Sequence, residues 1–402
     1  MTIRGMCPGL ADPMLTGDGL LARLAVARAI SLDAFAALCA ATKTHGNGIM
    51  EITSRGSLQV RGLTPRSAPA FAEAVAALGI ADAAAERVLA NPLAGLDPHE
   101  IFDATVIVAQ LRDRLVETGL AAKLGPKVSV VVDGGGALHL DAIPCDIRLR
   151  TDVINGATRF RVTVASHSTN EMIAPECAVE TVLEPLRAIA ALGPTARARD
   201  LPRPSASPSA GKAKSVRAAA QPIGMHCLRD GTLAVGIGLP FGHSDADTLQ
   251  TLIDEARAVG AASARPAPGR VLLLIGIAPA QAAGFAAKAE QLGFISNPDE
   301  PRRRVIACAG APACIAAEIP TRALAPAIAA AGWPDGRTIH VSGCPKGCAH
   351  PSAADLTIVG VGGQCGIVPN GRAQDAPIEF VTVDELPAYL ARCKAVSEVA
   401  HG

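Results

Sequence analysis

Four cysteines stand in two pairs near the end of this 402-residue chain. Cys308 and Cys314 enclose five residues, whereas Cys344 and Cys348 enclose three. Both pairs lie among glycine, alanine and proline after short apolar runs, where turns let thiolates converge and backbone N–H groups point at sulfur. The pattern predicts a centre held by four thiolates. A [4Fe–4S] cluster fits the wide five-residue spacing better than structural zinc does, and unligated core cysteines are the third alternative.

The other seven cysteines are scattered along the chain and form no pattern of this kind. They are Cys7, Cys39, Cys145, Cys177, Cys227, Cys365 and Cys393. Cys39 and Cys393 lie on helical patterns, so we expect them to be buried small apolar residues. The role of Cys7, in the segment GMCPGL, stays open.

The composition disfavours several classes of partner. Lys+Arg and Asp+Glu both number 37, and the zero net charge does not suit a protein built to neutralise nucleic-acid phosphates. Aromatic residues make up 2%, too few for base-stacking surfaces. The N-terminal segment lacks a signal-peptide core, and Pro279 and Gln281 interrupt the most apolar stretch. We therefore expect a soluble cytoplasmic protein, bound to neither nucleic acid nor membrane, whose thiols stay reduced.

The chain contains a linker and signs of an internal duplication. Residues 193–222 are rich in Pro, Ser and Ala and predict a flexible tether between halves of similar length. Segment 77–95 resembles 291–310, which sets Arg87 against Arg304 and Asn91 against Cys308. Segment 124–136 can be laid against 335–347. Two matches in the same order predict a duplicated chain that kept cysteines only in its second half.

The elements that must position the cysteines follow from hydrophobic periodicity and capping signals. Ser31 should cap a helix that runs to about residue 43. Ser244 with Asp247 should start a second helix, and Thr382 with Glu385 should cap a last helix. The predicted strands are 49–53, 58–61, 128–132, 159–165, 232–238, 271–277 and 338–342. Irregular alternation of strands and helices favours an α+β or α/β architecture with more than one sheet.

The cysteine pairs, on a duplicated chain, resemble the cluster signature of the sirohaem-dependent nitrite and sulfite reductases. Segments 51–62 and 87–95 resemble the two arginine-bearing segments in the first half of those enzymes. The opening RGMCPGLADPMLTGDGLLARL resembles one branch of this superfamily, the precorrin-3B synthases. The motifs span most of the chain, and the cysteine pattern is specific.

The resemblance implies an α+β fold of the nitrite/sulfite reductase type, duplicated with pseudo-two-fold symmetry. Two ferredoxin-like subdomains would occupy 1–66 and 223–290. Two α/β subdomains would occupy 67–192 and 291–402, with the cluster in the latter and the linker at 193–222 between the halves. The active site would lie between arginines of the first half and the cluster of the second.

The resemblance also implies a tetrapyrrole ligand whose rim of carboxylates calls for Arg and Lys side chains. The candidate substrate-binding residues are Arg55, Arg61, Arg87, Lys127 and Asn91. On a continuous strand, Arg55 and Arg61 would share a face because they are an even number of residues apart. The reductases use two lysines one residue apart for their small anion. Here Ser129 takes the second place after Lys127, which disfavours nitrite or sulfite reduction.

The implied cofactors are a [4Fe–4S] cluster on Cys308, Cys314, Cys344 and Cys348 and a second iron centre. That centre would be non-haem iron, or sirohaem in a reductase, and His340 and His350 are candidate ligands. The synthase branch implies a monooxygenase of cobalamin biosynthesis, which hydroxylates precorrin-3A with O2 and forms a lactone. No flavin or nicotinamide motif is evident, so electrons would come from an external reductase or ferredoxin. A sirohaem reductase and a non-catalytic electron carrier or zinc-stabilised binding protein remain alternatives.

Overall fold

The computed structural model describes residues 8–26, 28–80, 87–165, 167–202, 217–331 and 337–401. Cys7 lies outside these ranges. The first half contains β1 (Met14–Thr16), β2 (Gly19–Leu24), β3 (Ile30–Ser31), α1 (Leu32–His45), β4 (Ile49–Ile52), β5 (Leu58–Leu63), α2 (Ser67–Leu78), β6 (Val88–Ala90), α3 (Ala104–Glu117), α4 (Leu120–Lys123), β7 (Val130–Asp133), β8 (Ile147–Ile154), β9 (Ala157–Val164), β10 (His167–Ile173) and α5 (Ala178–Leu192).

The second half repeats this order, except that no helix in its described residues corresponds to α4. It contains β11 (Gly224–Cys227), β12 (Leu233–Gly238), β13 (His243–Asp245), α6 (Ala246–Ala258), β14 (Ser263–Ala267), β15 (Val271–Ile277), α7 (Pro279–Gln291), β16 (Val305–Ala307), α8 (Thr321–Ala331), β17 (Ile339–Ser342), β18 (Ala354–Val361), β19 (Gln364–Gly371), β20 (Glu379–Val381) and α9 (Leu386–His401). No helix in the described ranges is long and apolar enough to cross a lipid bilayer.

Two antiparallel sheets exchange strands between the halves. Sheet I has the order β1-β2-β5-β4-β13, and sheet III has the order β11-β12-β15-β14-β3. Each sheet therefore takes its edge strand from the other half, β13 pairing with β4 and β3 with β14. One hydrophobic core joins both sheets, with Phe35 of α1 and Phe285 of α7 buried in it. The exchange fixes the two halves against each other.

Sheets II and IV are matching mixed sheets. Sheet II has the order β10-β9-β8-β7-β6 and sheet IV the order β16-β17-β18-β19-β20. In each, three parallel strands are followed by two antiparallel ones. Since parallel strands end at the same edge of a sheet, the loops after β16 and β17 come together, as do those after β6 and β7. The predicted duplicated α+β fold is confirmed.

Strand registers correct one of the two repeat alignments. Val88 lies opposite Val130, and Val305 lies opposite Ile339, so Val130 corresponds to Ile339. The alignment of 124–136 with 335–347 is therefore wrong by two residues: Gly135, not Asp133, corresponds to Cys344. A slip of two residues leaves every strand side chain on its own face, so alternating apolar patterns cannot reveal it.

Helix caps agree with the sequence at two of three places. Ser31 accepts from Ala34 N (3.2 Å) before α1. Thr382 Oγ1 accepts from Glu385 N (3.3 Å) while Glu385 accepts from Thr382 N (3.0 Å) before α9. For α6 the cap is Asp245, which accepts from Thr248 N (2.8 Å), instead of Ser244. Ser244 is held in strand β13, and this shifts the helix start by one residue.

Two regions near the predicted boundaries make notable contacts. Helix α2, which lies beyond the predicted boundary at residue 66, buries Phe71 and Val75 in the same core as sheet I. Both ends of the expected linker are anchored to the first half. Arg197 donates to Asp146 Oδ2 (2.8 Å), and Arg217 donates to Asp141 Oδ1 (2.7 Å). Residues 203–216 lie outside the described ranges.

Candidate functional site

Two loops at the carboxyl ends of β16 and β17 carry the four paired cysteines; we call loops 308–314 and 343–348 the thiol cradle. Gly343 N donates to Cys308 Sγ (3.2 Å), and the Thr321 hydroxyl donates to Cys308 O (2.6 Å). The loops pack so closely that a Cβ at Gly343 would lie 2.5 Å from Ala317 Cβ. A backbone N–H aimed at sulfur is what a bound thiolate needs.

The four thiols are close enough to influence one another. Burial raises the pKa of the Cys348 thiol, and Cys344, Cys308 and Cys314 raise it further because a neighbouring thiolate disfavours a second negative charge. As placed, no group of three or more His, Cys, Asp or Glu side chains in the described ranges could hold a metal ion. The donor set nevertheless fits a cluster, whose irons each take one thiolate from separate points of the cradle.

Sheet I turns a polar face toward the thiol cradle. Arg23, Gln59, Glu51 and His243 form one cross-strand row over β2, β5, β4 and β13. With its amide oriented to satisfy both neighbours, Gln59 accepts from Arg23 Nη2 (2.9 Å) and donates to Glu51 Oε2 (2.9 Å). Arg322, at the start of α8 just after the cradle, bonds to Glu51. Ionisable groups in a row on a half-buried face suit a polar ligand.

Arg61 joins this face to the cradle. Its guanidinium donates twice to Asp18 (2.8 and 2.9 Å) and once to Glu51 (3.4 Å). It also bonds to the carbonyl of Ala313, beside Cys314. Burial alone raises the pKa of Asp18, but the Arg61 guanidinium more than reverses this and holds it below its usual range. Arg61 is 3% exposed, so it positions the cradle and does not face an open pocket.

Arg55 and Arg61 do not share a face, contrary to the sequence expectation. Strand β5 begins only at Leu58, and Gly56 turns the backbone with φ +84°. Arg55 therefore lies in the β4–β5 turn, where it is exposed and donates to Ser129 Oγ (3.3 Å). The contact spans from sheet I to the start of β7, across the boundary between two subdomains.

The structure brings Arg87 and Lys127 to the same place as Arg55. Arg87 precedes β6, and its guanidinium donates to Gly125 O (2.7 Å) and Leu124 O (3.0 Å), in the loop that carries Lys127. Lys127 is exposed two residues before Ser129. Three of the five predicted substrate residues thus lie together at the amino ends of β6 and β7, as basic groups near solvent.

Asn91 lies elsewhere. It follows the opposite end of β6, is 2% exposed, and donates to Asp133 Oδ1 (3.3 Å). Four residue steps through strand β6 separate it from Arg87 by roughly 13 Å. The structure therefore does not group Asn91 with the other candidates. Asn91 corresponds to Cys308, as the sequence alignment predicts, but it lies in the matching loop of the first half.

Two histidines near the cradle, His340 and His243, have lowered pKa values. Burial lowers the pKa of His340 to about 4, with His350 and Arg270 adding to the effect. The His340 and His350 rings meet edge to face at 5.6 Å, and neither ring nitrogen of His340 has a hydrogen-bond partner among the described residues. Burial, then Arg322, likewise lowers the pKa of His243 to about 4. Neutral imidazoles retain a lone pair for a metal or a proton.

Comparison with known proteins identifies the family. Residues 12–78 match the nitrite/sulfite reductase ferredoxin-like half domain. A precorrin-3B synthase from Sinorhizobium sp. is 36% identical over 97% of this chain and 88% of that relative. The chain belongs to the precorrin-3B synthase family. A ferredoxin–nitrite reductase from Synechococcus elongatus is 25% identical over 77% of this chain and 70% of its own.

A solved structure supports the fold of the synthase family described above. The structure of Mycobacterium tuberculosis NirA superposes with a TM-score of 0.69 over 93% of this chain and 80% of its own, at 18% identity. At this identity the likeness concerns the fold alone. Like its relatives, the chain is an oxidoreductase of the nitrite/sulfite reductase superfamily.

Sequence reasoning missed the polar row on sheet I. Gln59 and Arg61 stand at alternate positions, and this signal alone marks a polar face on an otherwise apolar strand. Glu51 and Arg23 join that face only through strand pairing. His243 could not be found at all, because it reaches sheet I from the other half of the chain.

Proposed function

We propose that this protein catalyses the O2-dependent hydroxylation of precorrin-3A with lactone formation, the reaction of a precorrin-3B synthase. The observation that carries the proposal is one junction, at which Arg61 and Ala313 join the polar face of sheet I to the thiol cradle. A metal centre and a polar, arginine-bearing surface are thereby held together. The near-full-length likeness to a synthase favours this branch over the reductases.

The reaction balances as a monooxygenation. One atom of O2 enters the tetrapyrrole as a hydroxyl on a ring meso carbon, and the other leaves as water with two protons. Two electrons come from outside the protein. The lactone forms when a carboxyl arm of the substrate adds across the ring double bond next to the hydroxylated carbon. Its oxygen bonds to one carbon and its proton moves to the other, so no further oxidant is needed.

The chain's own residues divide the work between the two halves. Cys308, Cys314, Cys344 and Cys348 would hold a [4Fe–4S] cluster, which supplies single electrons when bound. Arg55, Lys127 and Arg87 form a basic group that would bind carboxylates of the rim. The buried bonds of Arg61 fix the distance between sheet I and the cradle, so that neither part has to reorganise on binding.

A second iron centre completes the proposal. His340, with both ring nitrogens without a partner among the described residues, and His350 beside it are candidate ligands. Ser129 supports non-haem iron with O2 over sirohaem with nitrite, because the resemblance places a second anion-binding lysine there in reductases. The external donor is proposed to be a ferredoxin-type protein or its reductase, because the Synechococcus elongatus relative is a ferredoxin–nitrite reductase.

The test is anaerobic incubation of the purified protein with precorrin-3A and a reduced ferredoxin as electron donor, followed by O2 and mass spectrometry of the product. A gain of one oxygen atom, derived from isotopically heavy O2, is expected. Intrinsic sirohaem bands with nitrite or sulfite turnover would instead assign the protein to the reductases. Iron and sulfide without any turnover would indicate an electron carrier, and zinc without iron would overturn both enzyme proposals.

A further inference from the structure

A small basic cavity lies where the two halves meet. It has a volume of about 230 Å³ and is lined by Ser54, Phe241, Arg270, Arg302, Arg303 and His350, among others. Ser54 adjoins Arg55 in the chain, and His350 follows two residues after Cys348. The cavity therefore touches both parts of the proposed site. Because ligand pockets usually measure about 300–1,000 Å³, it can admit an arm of a tetrapyrrole but not the ring.

Arg270 is held in place by unusual local structure. It has φ +65°, in the left-handed region that side chains rarely adopt. The corresponding residue of the first half is Gly56, with φ +84°, since Glu51 pairs with Gln59 as Arg265 pairs with Leu273. Leu239 N donates to Arg270 O (2.9 Å). An arginine kept where the other copy has glycine indicates a role for its side chain.

The side chain of Arg270 is directed by its neighbours. Its stem crosses Gly242 so closely that a Cβ there would lie 2.5 Å from Arg270 Cδ. Arg270 lines the cavity and is partly buried. Among the described residues, the Arg270 side chain makes no hydrogen bond or ion pair. Burial lowers its pKa, and the negative charge of Glu51 partly offsets this effect. Glu51 is already bonded to Arg61 and Arg322.

The other two arginines differ from Arg270 in having protein partners. Arg302 donates to Glu300 Oε2 (2.9 Å) and Gly293 O (2.7 Å), and Arg303 donates to Pro298 O (2.6 Å). They add positive potential to the cavity while Arg270 keeps its donors available. A planar guanidinium with free donors in a confined space recognises a carboxylate through two parallel hydrogen bonds.

We propose that the cavity around Arg270 is a subsite for one carboxylate arm of the tetrapyrrole substrate. The second half thus contributes to substrate binding as well as holding the thiols. The arm enters between the β4–β5 turn and the loop after Cys348, and Arg270 binds its carboxylate. This rests on the proposed function for the identity of the substrate, but the recognition chemistry needs only a carboxylate-bearing tetrapyrrole.

The test compares Arg270→Gly and Arg270→Gln with the wild-type holoprotein by anaerobic titration with precorrin-3A and, separately, with uroporphyrin III. Loss of a charged hydrogen-bond pair predicts an affinity about 10- to 100-fold weaker for both ligands. Iron and sulfide content should not change. Arg270→Gly should melt no lower than wild type, because glycine adopts the left-handed backbone without strain.

Arg265→Gln is the matched control, since Arg265 lies on the neighbouring strand β14, is also partly buried, and does not line the cavity. It should leave affinity within about twofold of wild type. Unchanged affinity in both Arg270 variants with intact iron would overturn the subsite. If wild type binds uroporphyrin III in an Arg270-dependent way but never oxidises precorrin-3A, the proposed function fails while the subsite stands.

Discussion

The two halves of this chain contain the same pair of loops, and only one pair carries cysteines. Ile101 N donates to Gly134 O (2.8 Å), and Glu318 N donates to Gly343 O (2.7 Å), so equivalent hydrogen bonds join the two loops in each half. We call loops 91–97 and 134–139 the first-half cradle. The positions of Cys308, Cys314, Cys344 and Cys348 are there occupied by Asn91, Asp97, Gly135 and His139.

The first-half cradle is closed by its own side chains. Asp97 of one loop accepts a hydrogen bond from Ala137 N of the other loop (2.6 Å). Asp133, which is fully buried, accepts from Gly135 N (2.9 Å) and bonds to Arg217 at the end of the linker. Carboxylates thus satisfy the N–H groups of these loops, as sulfur does in the thiol cradle.

The sheets that face the two cradles differ in the polarity of their side chains. On sheet I, Arg23, Gln59, Glu51 and Arg61 form a polar surface. Their counterparts on sheet III are Gly236, Leu273, Arg265 and Ile275. Sheet III packs Leu273 and Ile275 against Leu93 and Leu138 of the first-half cradle. The two sheets pair their strands in the same way, but the face of sheet I is polar and that of sheet III is largely apolar.

The largest expected effect is loss of the centre when a cradle cysteine is changed. Cys308→Ser should lose most of the iron and acid-labile sulfide, because a hydroxyl is a poor ligand for a soft iron–sulfur centre. The same measurement on Cys314, Cys344 and Cys348 should agree. Metal and sulfide analysis of the purified proteins gives the answer.

Two controls sharpen this result. Asn91→Ser, at the matching position of the first half, should retain full iron content. Cys39→Ser should retain it too, because Cys39 is 1% exposed and burial raises its pKa to about 12. Loss of iron in Asn91→Ser would show that the first-half cradle takes part in holding the centre. Loss of iron in Cys39→Ser would show that the ligand thiols are wrongly assigned.

The next effect concerns stability of the first-half cradle. Arg217→Ala leaves Asp133 charged and buried without its ion pair, which costs about 3–5 kcal/mol of unfolding free energy. Urea unfolding followed by circular dichroism measures the change. Arg199→Ala is the control, since the Arg199 side chain is 80% exposed. Equal stabilities would show that the linker end does not hold this cradle closed.

A smaller effect is expected at the basic group of the first half. Arg55→Ala should weaken tetrapyrrole binding about 10-fold, since one exposed charged contact is lost, while iron content stays intact. The corresponding residue of the second half is Gly269, so the two halves differ in charge at this position. Arg66→Ala, another exposed first-half arginine, should bind like wild type. Unchanged binding in Arg55→Ala would remove it from the site.

The smallest effect is in the pH dependence of stability. The folded-state pKa of Asp18 is lowered by Arg61 despite burial, so its contribution is present above the unfolded value of 3.8 and is lost as pH falls through the folded value. The difference in stability between wild type and Asp18→Asn should therefore be constant near neutrality and shrink in acid. Asp33→Asn, with a side chain 92% exposed, should match wild type throughout. A difference that persists in acid contradicts the pairing.

The sequence by itself was enough to predict a centre held by four thiolates and to establish the duplicated fold. Cysteine is chemically distinct and its spacing is local, so Cys308, Cys314, Cys344 and Cys348 were recognisable without coordinates. The apolar repeats also sufficed for the duplication. They did not fix its register, because strand patterns repeat every two residues.

Only the tertiary structure decided which charges face the cradle. Arg55 and Arg61 differ in role because Gly56 ends the strand between them, and Asn91 is separated from Arg87 by the length of β6. His243 joins Glu51 through a strand exchanged between the halves, and Arg270 reaches the cavity through a left-handed backbone. The pairing of His243 with Glu51 joins residues almost two hundred positions apart, which no local pattern encodes.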